Sequence, residues 1–230
     1  MTISTNAVIR WSGSAAMIAG LCYAAVGVFH PPNIISAVTT APWLVVHVLA
    51  MAMAVFGLFG LAGIYARQAE KSGWLGLVGY VLLSLWLALM LGFTFVEVFI
   101  LPAFATISPA FVAGWLGMFN GTASEIGLGS LPTLWLLSGP LYILGGLLFG
   151  IATFRARILP RWAGVLLAVG TAMGPLAALL PLDLQPKIAL PVGLALIWLG
   201  YAVWSERRRT SSTSLDADKT LSDRRYAPVV

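Results

Sequence analysis

Residues 74–102, WLGLVGYVLLSLWLALMLGFTFVEVFILP, decide the fold, because they form one apolar run in which Glu97 is the single charged side chain. A lipid core about 30 Å thick takes about 20 helical residues to cross, and this run is longer. An acid within hydrocarbon costs several kcal/mol, so Glu97 persists there only if it is protonated, paired, metal-bound or open to water.

The rest of the chain agrees with that reading. Of its 230 residues, 60% are hydrophobic and only 9% charged, and the mean hydropathy is +0.94. Soluble domains carry about 25% charged residues, so an integral membrane protein with the lipid bilayer as its partner is expected. The single cysteine, Cys22, excludes an internal disulfide and reads as a small packed residue. A formal charge of +5 raises the question of nucleic acid. The basic residues stand at the ends of apolar spans, however, which is topology information and no polynucleotide-binding face.

Apolar periodicity predicts an all-α, polytopic bundle of six transmembrane helices near 11–30, 43–66, 74–101, 132–154, 161–180 and 188–204. The first run is too long for a signal-peptide core and ends in His30-Pro31-Pro32 without a small-x-small site, so it reads as a helix. Of 13 Lys and Arg residues only Lys187 falls on the side opposite the others, which predicts both termini in the cytoplasm of a bacterial inner membrane. Residues 1–204 form the transmembrane domain on this reading, and 205–230, rich in Ser, Thr and Asp, a disordered cytoplasmic tail.

Residues 102–131 are too apolar for a solvated loop and predict a short interfacial or re-entrant helix over the outer mouth of the bundle. Asn120-Gly121-Thr122 matches a glycosylation sequon, a pattern that short matches produce by chance. Small residues at Ala16, Gly20 and Ala24, at Gly146 and Gly150, and at Gly170 and Gly174 predict close helix packing inside one bundle. The stretch from Gly63-Ile64 through Arg67 to Trp74-Leu75-Gly76 is echoed from Gly150-Ile151 through Arg155 to Trp162-Ala163-Gly164, as a duplicated hairpin would be.

The segment Leu147-Leu148-Phe149-Gly150 through Arg155, followed by Ile158-Leu159-Pro160-Arg161-Trp162-Ala163-Gly164-Val165-Leu166-Leu167, resembles uncharacterised bacterial six-helix membrane proteins grouped as domains of unknown function. The resemblance covers mainly the C-terminal half. It implies the helix count and order and brings no activity with it.

Counting from the helix ends puts Glu97, His47 and His30 within about 8 Å of the outer boundary of the core. These are the chain's two histidines and its one mid-span acid. Thr94, three residues before Glu97, shares its helical face and is expected to hydrogen-bond to it. Glu125 and Asp183, on the same side, would form an acidic rim. A His30, His47, Glu97 set matches the ligands of Zn or non-haem Fe sites with an open position, and without metal it offers a base and an acid. A haem held between the histidines fits poorly, since His30 ends its helix beside Pro31. Binding or handling of a small or lipidic ligand, with Glu97 as proton carrier, is the leading reading. A purely structural His47–Glu97 pair is the plain alternative. No phosphate-binding glycine loop, C-x-x-C pair or nucleophile elbow is present.

Overall fold

A computed structural model describes residues 5–181 and 184–205. Among these the regular structure is helical, with no strand. In chain order the elements are α1 (Thr5–Phe29), the single turn α2 (Ile35–Val38), α3 (Ala41–Phe95), α4 (Leu101–Ile107), α5 (Pro109–Asn120), α6 (Leu131–Ala156) and α7 (Arg161–Ala172). The last, α8 (Gln185–Ser205), opens with a 3₁₀ turn over Gln185–Ala189. Among the described residues four helices are long and apolar enough to cross a membrane: Ala7–Phe29, Ala41–Ile107, Leu131–Ala156 and Gln185–Ser205.

The helical stretch Ala41–Ile107 is not one straight helix: it holds the expected spans 43–66 and 74–101 as two arms that meet at non-helical backbone on Gly73. Thr40 caps its start, its side chain accepting from the Trp43 amide, and Pro42 occupies the first turn, where a missing N–H costs nothing. The stretch reverses at Gly73, whose φ of 56° and ψ of −156° lie in a region essentially reserved for glycine. The two arms then run antiparallel. Tyr65 stacks on Tyr80 with ring centroids 4.8 Å apart, Gly57 lies against Leu87, and His47 meets Glu97.

The expected span 161–180 is also not one helix. The α-helix ends at Ala172, because Pro175 lacks an N–H and its ring opposes the preceding turn, and a 3₁₀ segment, Gly174–Leu179, continues. At 1.5 Å per residue the 12 residues of α7 reach only about 18 Å.

Glycines set the closest helix approaches. A Cβ at Gly13 would stand 2.8 Å from the Gly200 carbonyl oxygen, and one at Gly193 would stand 2.8 Å from that of Gly20, so α1 and α8 meet backbone to backbone. The same holds for α6 and α7, where a Cβ at Gly164 would lie 2.7 Å from the Gly150 oxygen. Ala16 packs against Gly60, Gly146 against Thr171 and Gly170 against Val192, so these small residues serve contacts inside the bundle.

One core cluster fills the middle of the bundle around Ile64, Phe149, Leu167 and Leu199. A second, around Trp43, Phe93, Leu101, Val112 and Trp115, joins the start and end of α3 to α5. The outside is apolar, with Leu21, Phe59, Leu85, Leu136 and Tyr201 exposed. Ile9, Arg67, Lys71 and Ile158 line one shallow cavity, so the start of α1, the turn of α3 and the α6–α7 connection share one end of the bundle. His30, Asn33, Asn120 and Pro186 meet at the other end.

Candidate binding site at the histidine-bearing end

Glu97 lies in a π-helical turn, Val96–Ile100, inserted between α3 and α4. The cause is nearby in sequence. Leu101 N–H reaches back five residues to the Val96 carbonyl, and Pro102 has no N–H. Neither amide that would ordinarily serve the Glu97 carbonyl does so. The indole N–H of Trp43 takes that place, donating to the Glu97 carbonyl oxygen at 3.0 Å. A fully buried tryptophan from the start of the hairpin thus fixes the backbone of an acid at its end.

The Trp43 ring also stacks on His47, with centroids 4.0 Å apart and planes 25° apart. His47 Nδ1 lies 2.8 Å from the Trp43 carbonyl oxygen. A carbonyl only accepts, so Nδ1 carries the hydrogen and Nε2 is left with its lone pair toward the cavity. That Nε2 stands 3.5 Å from Glu97 Oε2. Two lone-pair-bearing groups at this distance, both nearly removed from solvent, are compatible when a proton or another cation lies between them. Trp115, from α5, brings its buried indole N–H toward the Glu97 carboxylate without completing a hydrogen bond there.

His30, one residue past α1, repeats the arrangement. Its Nδ1 lies 2.7 Å from the Pro31 carbonyl oxygen, so its Nε2 also offers a lone pair. Its ring meets that of His47 edge to face at 5.2 Å. Burial holds the His30 imidazole below its usual pKa, which favours the neutral ring.

These side chains border a cavity of about 220 Å³ between α1, the two arms of α3, α6 and α8. Tyr23, Trp86, Phe93, Phe119 and Trp135 form most of its wall, and His30, His47 and Glu97 form its polar corner. His30, Asn33, Phe119 and Pro186 also line a second, outer cavity of about 440 Å³, so the two are neighbours. The α5 helix roofs this region, and Asn120 ties its end to the connection after α1 by donating to the Asn33 carbonyl oxygen at 2.8 Å.

The structure gathers Glu97, His47 and His30 and places Thr94 on the same wall. The hydroxyl of Thr94 does not serve Glu97. It donates to the Met90 carbonyl oxygen at 2.7 Å, the usual back-bond of a threonine within a helix. Glu125 is exposed and lines neither cavity, so the rim is not acidic there. Asp183 lies outside the described residues, as do residues 206–230 of the expected tail.

Among the described residues no three His, Cys, Asp or Glu side chains come together as a metal-binding group. The expected Zn or Fe set of His30, His47 and Glu97 therefore reduces to one close pair with a third ring beside it. The edge-to-face contact of the two imidazoles leaves no space for a porphyrin between them.

Several site residues were not singled out from sequence. Trp43, Tyr23, Trp86 and Phe93 carry no sequence pattern that marks them as part of a site. Phe95 and Phe99, by contrast, are exposed and lie against each other, as lipid-facing side chains would.

The fold and site define an all-α chain whose apolar helices are compatible with an integral membrane protein, with a buried His47–Glu97 pair facing an aromatic cavity. Compared with protein-family models, curated proteins and solved structures, the chain matches none, so the likeness of its C-terminal half to six-helix membrane proteins carries no further argument.

Proposed function

We propose that this chain is a six-pass inner-membrane protein, both termini cytoplasmic, that binds a small or lipidic ligand in the aromatic cavity beside His47 and Glu97, near the outer leaflet. Three features support the six passes: the reversal at Gly73 makes two arms of α3, α7 is extended by a 3₁₀ segment, and the basic residues crowd the end away from the histidines. On this arrangement α4 and α5 are the interfacial cover expected of 102–131.

The observation that carries the binding reading is the cavity itself. A buried acid could be packed away against His47, yet here about 220 Å³ of space adjoins the pair, next to a larger cavity that shares His30 and Asn33 with it. The wall supplies apolar contact and the corner supplies orientation. The metal-enzyme reading lacks its three-ligand geometry, and no observation favours it.

The test uses 2-(4-bromophenyl)ethanol, whose bromine quenches tryptophan on contact, with protein in dodecyl maltoside. Saturable quenching of Trp86 and Trp135 is expected, reverting to the linear response of micelle partitioning in Ala50→Phe, which fills the cavity from its wall. An identical saturable curve in that variant would refute the assignment.

A further inference from the structure

The hydrogen-bond inventory of the cavity narrows what it can hold. The ring hydrogens of His30 and His47 are taken by the Pro31 and Trp43 carbonyls, the Thr94 hydroxyl by Met90, and the Tyr23 hydroxyl by Tyr142. What remains directed at the polar corner are lone pairs, Nε2 of each histidine and the Glu97 carboxyl, with the Trp115 indole N–H beside that carboxyl. Among the described residues no Lys or Arg lines the cavity. Indole N–H groups and the Asn33 amide at the mouth are the remaining donors, and Tyr23, His30, His47 and Glu97 are the titratable groups that face the space.

The rest of the lining carries a cluster of aromatic rings. Trp135 lies 4.5 Å from Phe119 and 5.6 Å from Phe93, centroid to centroid, and Trp86 lies 6.1 Å from Tyr23. Such rings attract a positive charge, most strongly where it is stripped of water. A buried acid with acceptor groups beside it, in a cavity also lined by aromatic rings, suits a cation. An anion would meet chiefly lone pairs.

Resting on the binding reading above, we propose that the cavity takes an ammonium group carried on an apolar body, which sits between Glu97, His47 and the aromatic wall and replaces the proton that the His47–Glu97 pair otherwise holds. The ammonium could belong to a free amine or to the headgroup of a phosphatidylethanolamine. No covalent step is involved.

The test compares three probes with one body in the quenching assay: 2-(4-bromophenyl)ethylamine, 2-(4-bromophenyl)ethanol and 3-(4-bromophenyl)propanoate. The amine is expected to bind at least tenfold more tightly than the alcohol, with the carboxylate weakest. In Glu97→Gln the preference for amine over alcohol is expected to fall to about twofold or less. Alcohol binding without amine preference would overturn this inference and leave the binding reading standing, as would a full preference retained in Glu97→Gln. Saturation by none of the three would overturn both. In phosphatidylglycerol nanodiscs, loss of amine binding on adding phosphatidylethanolamine assigns the ammonium to a lipid headgroup, and unchanged binding assigns it to a free amine.

Discussion

Replacing Trp43 by Phe keeps an aromatic ring over His47 and removes the N–H that serves the Glu97 carbonyl, 3.0 Å away. The carbonyl is then buried without a partner, which costs about 1–3 kcal/mol. The smaller ring in a fully buried site adds about 1 kcal/mol. A loss near 2–4 kcal/mol corresponds to a thermal midpoint lower by about 4–16 °C, at about 2–4 °C per kcal/mol for a chain of this size. The decisive comparison adds Pro102→Ala, which restores an amide at 102. Whether the turn stays π-helical or relaxes to α-helix, the Glu97 carbonyl then gains a backbone donor, from residue 102 or residue 101. Trp43→Phe should therefore cost about 1 kcal/mol less in the Pro102→Ala background than in the wild type. The assay is thermal unfolding in dodecyl maltoside followed by circular dichroism for the four proteins of the cycle. Additivity within about 0.3 kcal/mol would refute the idea that proline, π turn and tryptophan form one unit.

Three further outcomes are expected. Gly73→Ala should destabilise by about 1–3 kcal/mol through its backbone conformation alone, since a Cβ there meets nothing; Gly92→Ala, equally open but helical, should be neutral or stabilising by up to about 1 kcal/mol in the same unfolding assay. Thr94→Val should leave alcohol and amine affinities within about twofold in the quenching assay, because that hydroxyl is spent on Met90. In a Cys22→Ser background, a cysteine at Lys187 should react with an impermeant maleimide from outside intact cells and one at Arg157 only after lysis; the reverse pattern would overturn the topology.

The class of fold was legible because a lipid core imposes a length and a composition on any chain that crosses it, and 74–102 satisfies both. Counting at 1.5 Å per residue also puts His30, His47 and Glu97 at one end of their helices, and the three do line one cavity. Thr94 was misread because spacing reports a shared face and not which acceptor a hydroxyl prefers. The carbonyl four residues back is closer to hand than any side chain. The helix boundaries near Gly73 and Pro175 were blurred because apolar content hardly changes there, while the backbone does. The Trp43 contact joins residues 54 positions apart, and no local pattern encodes it.

On the proposed reading, His47 and Glu97 form the working corner of a binding cavity and hold one replaceable positive charge. Calorimetric titration of 2-phenylethylamine into the purified protein, repeated in two buffers of different ionisation enthalpy, measures both the affinity and the protons exchanged. Binding with release of about one proton in the wild type, and with none in Glu97→Gln, is the predicted result. Binding of equal strength in both proteins without proton exchange would contradict it.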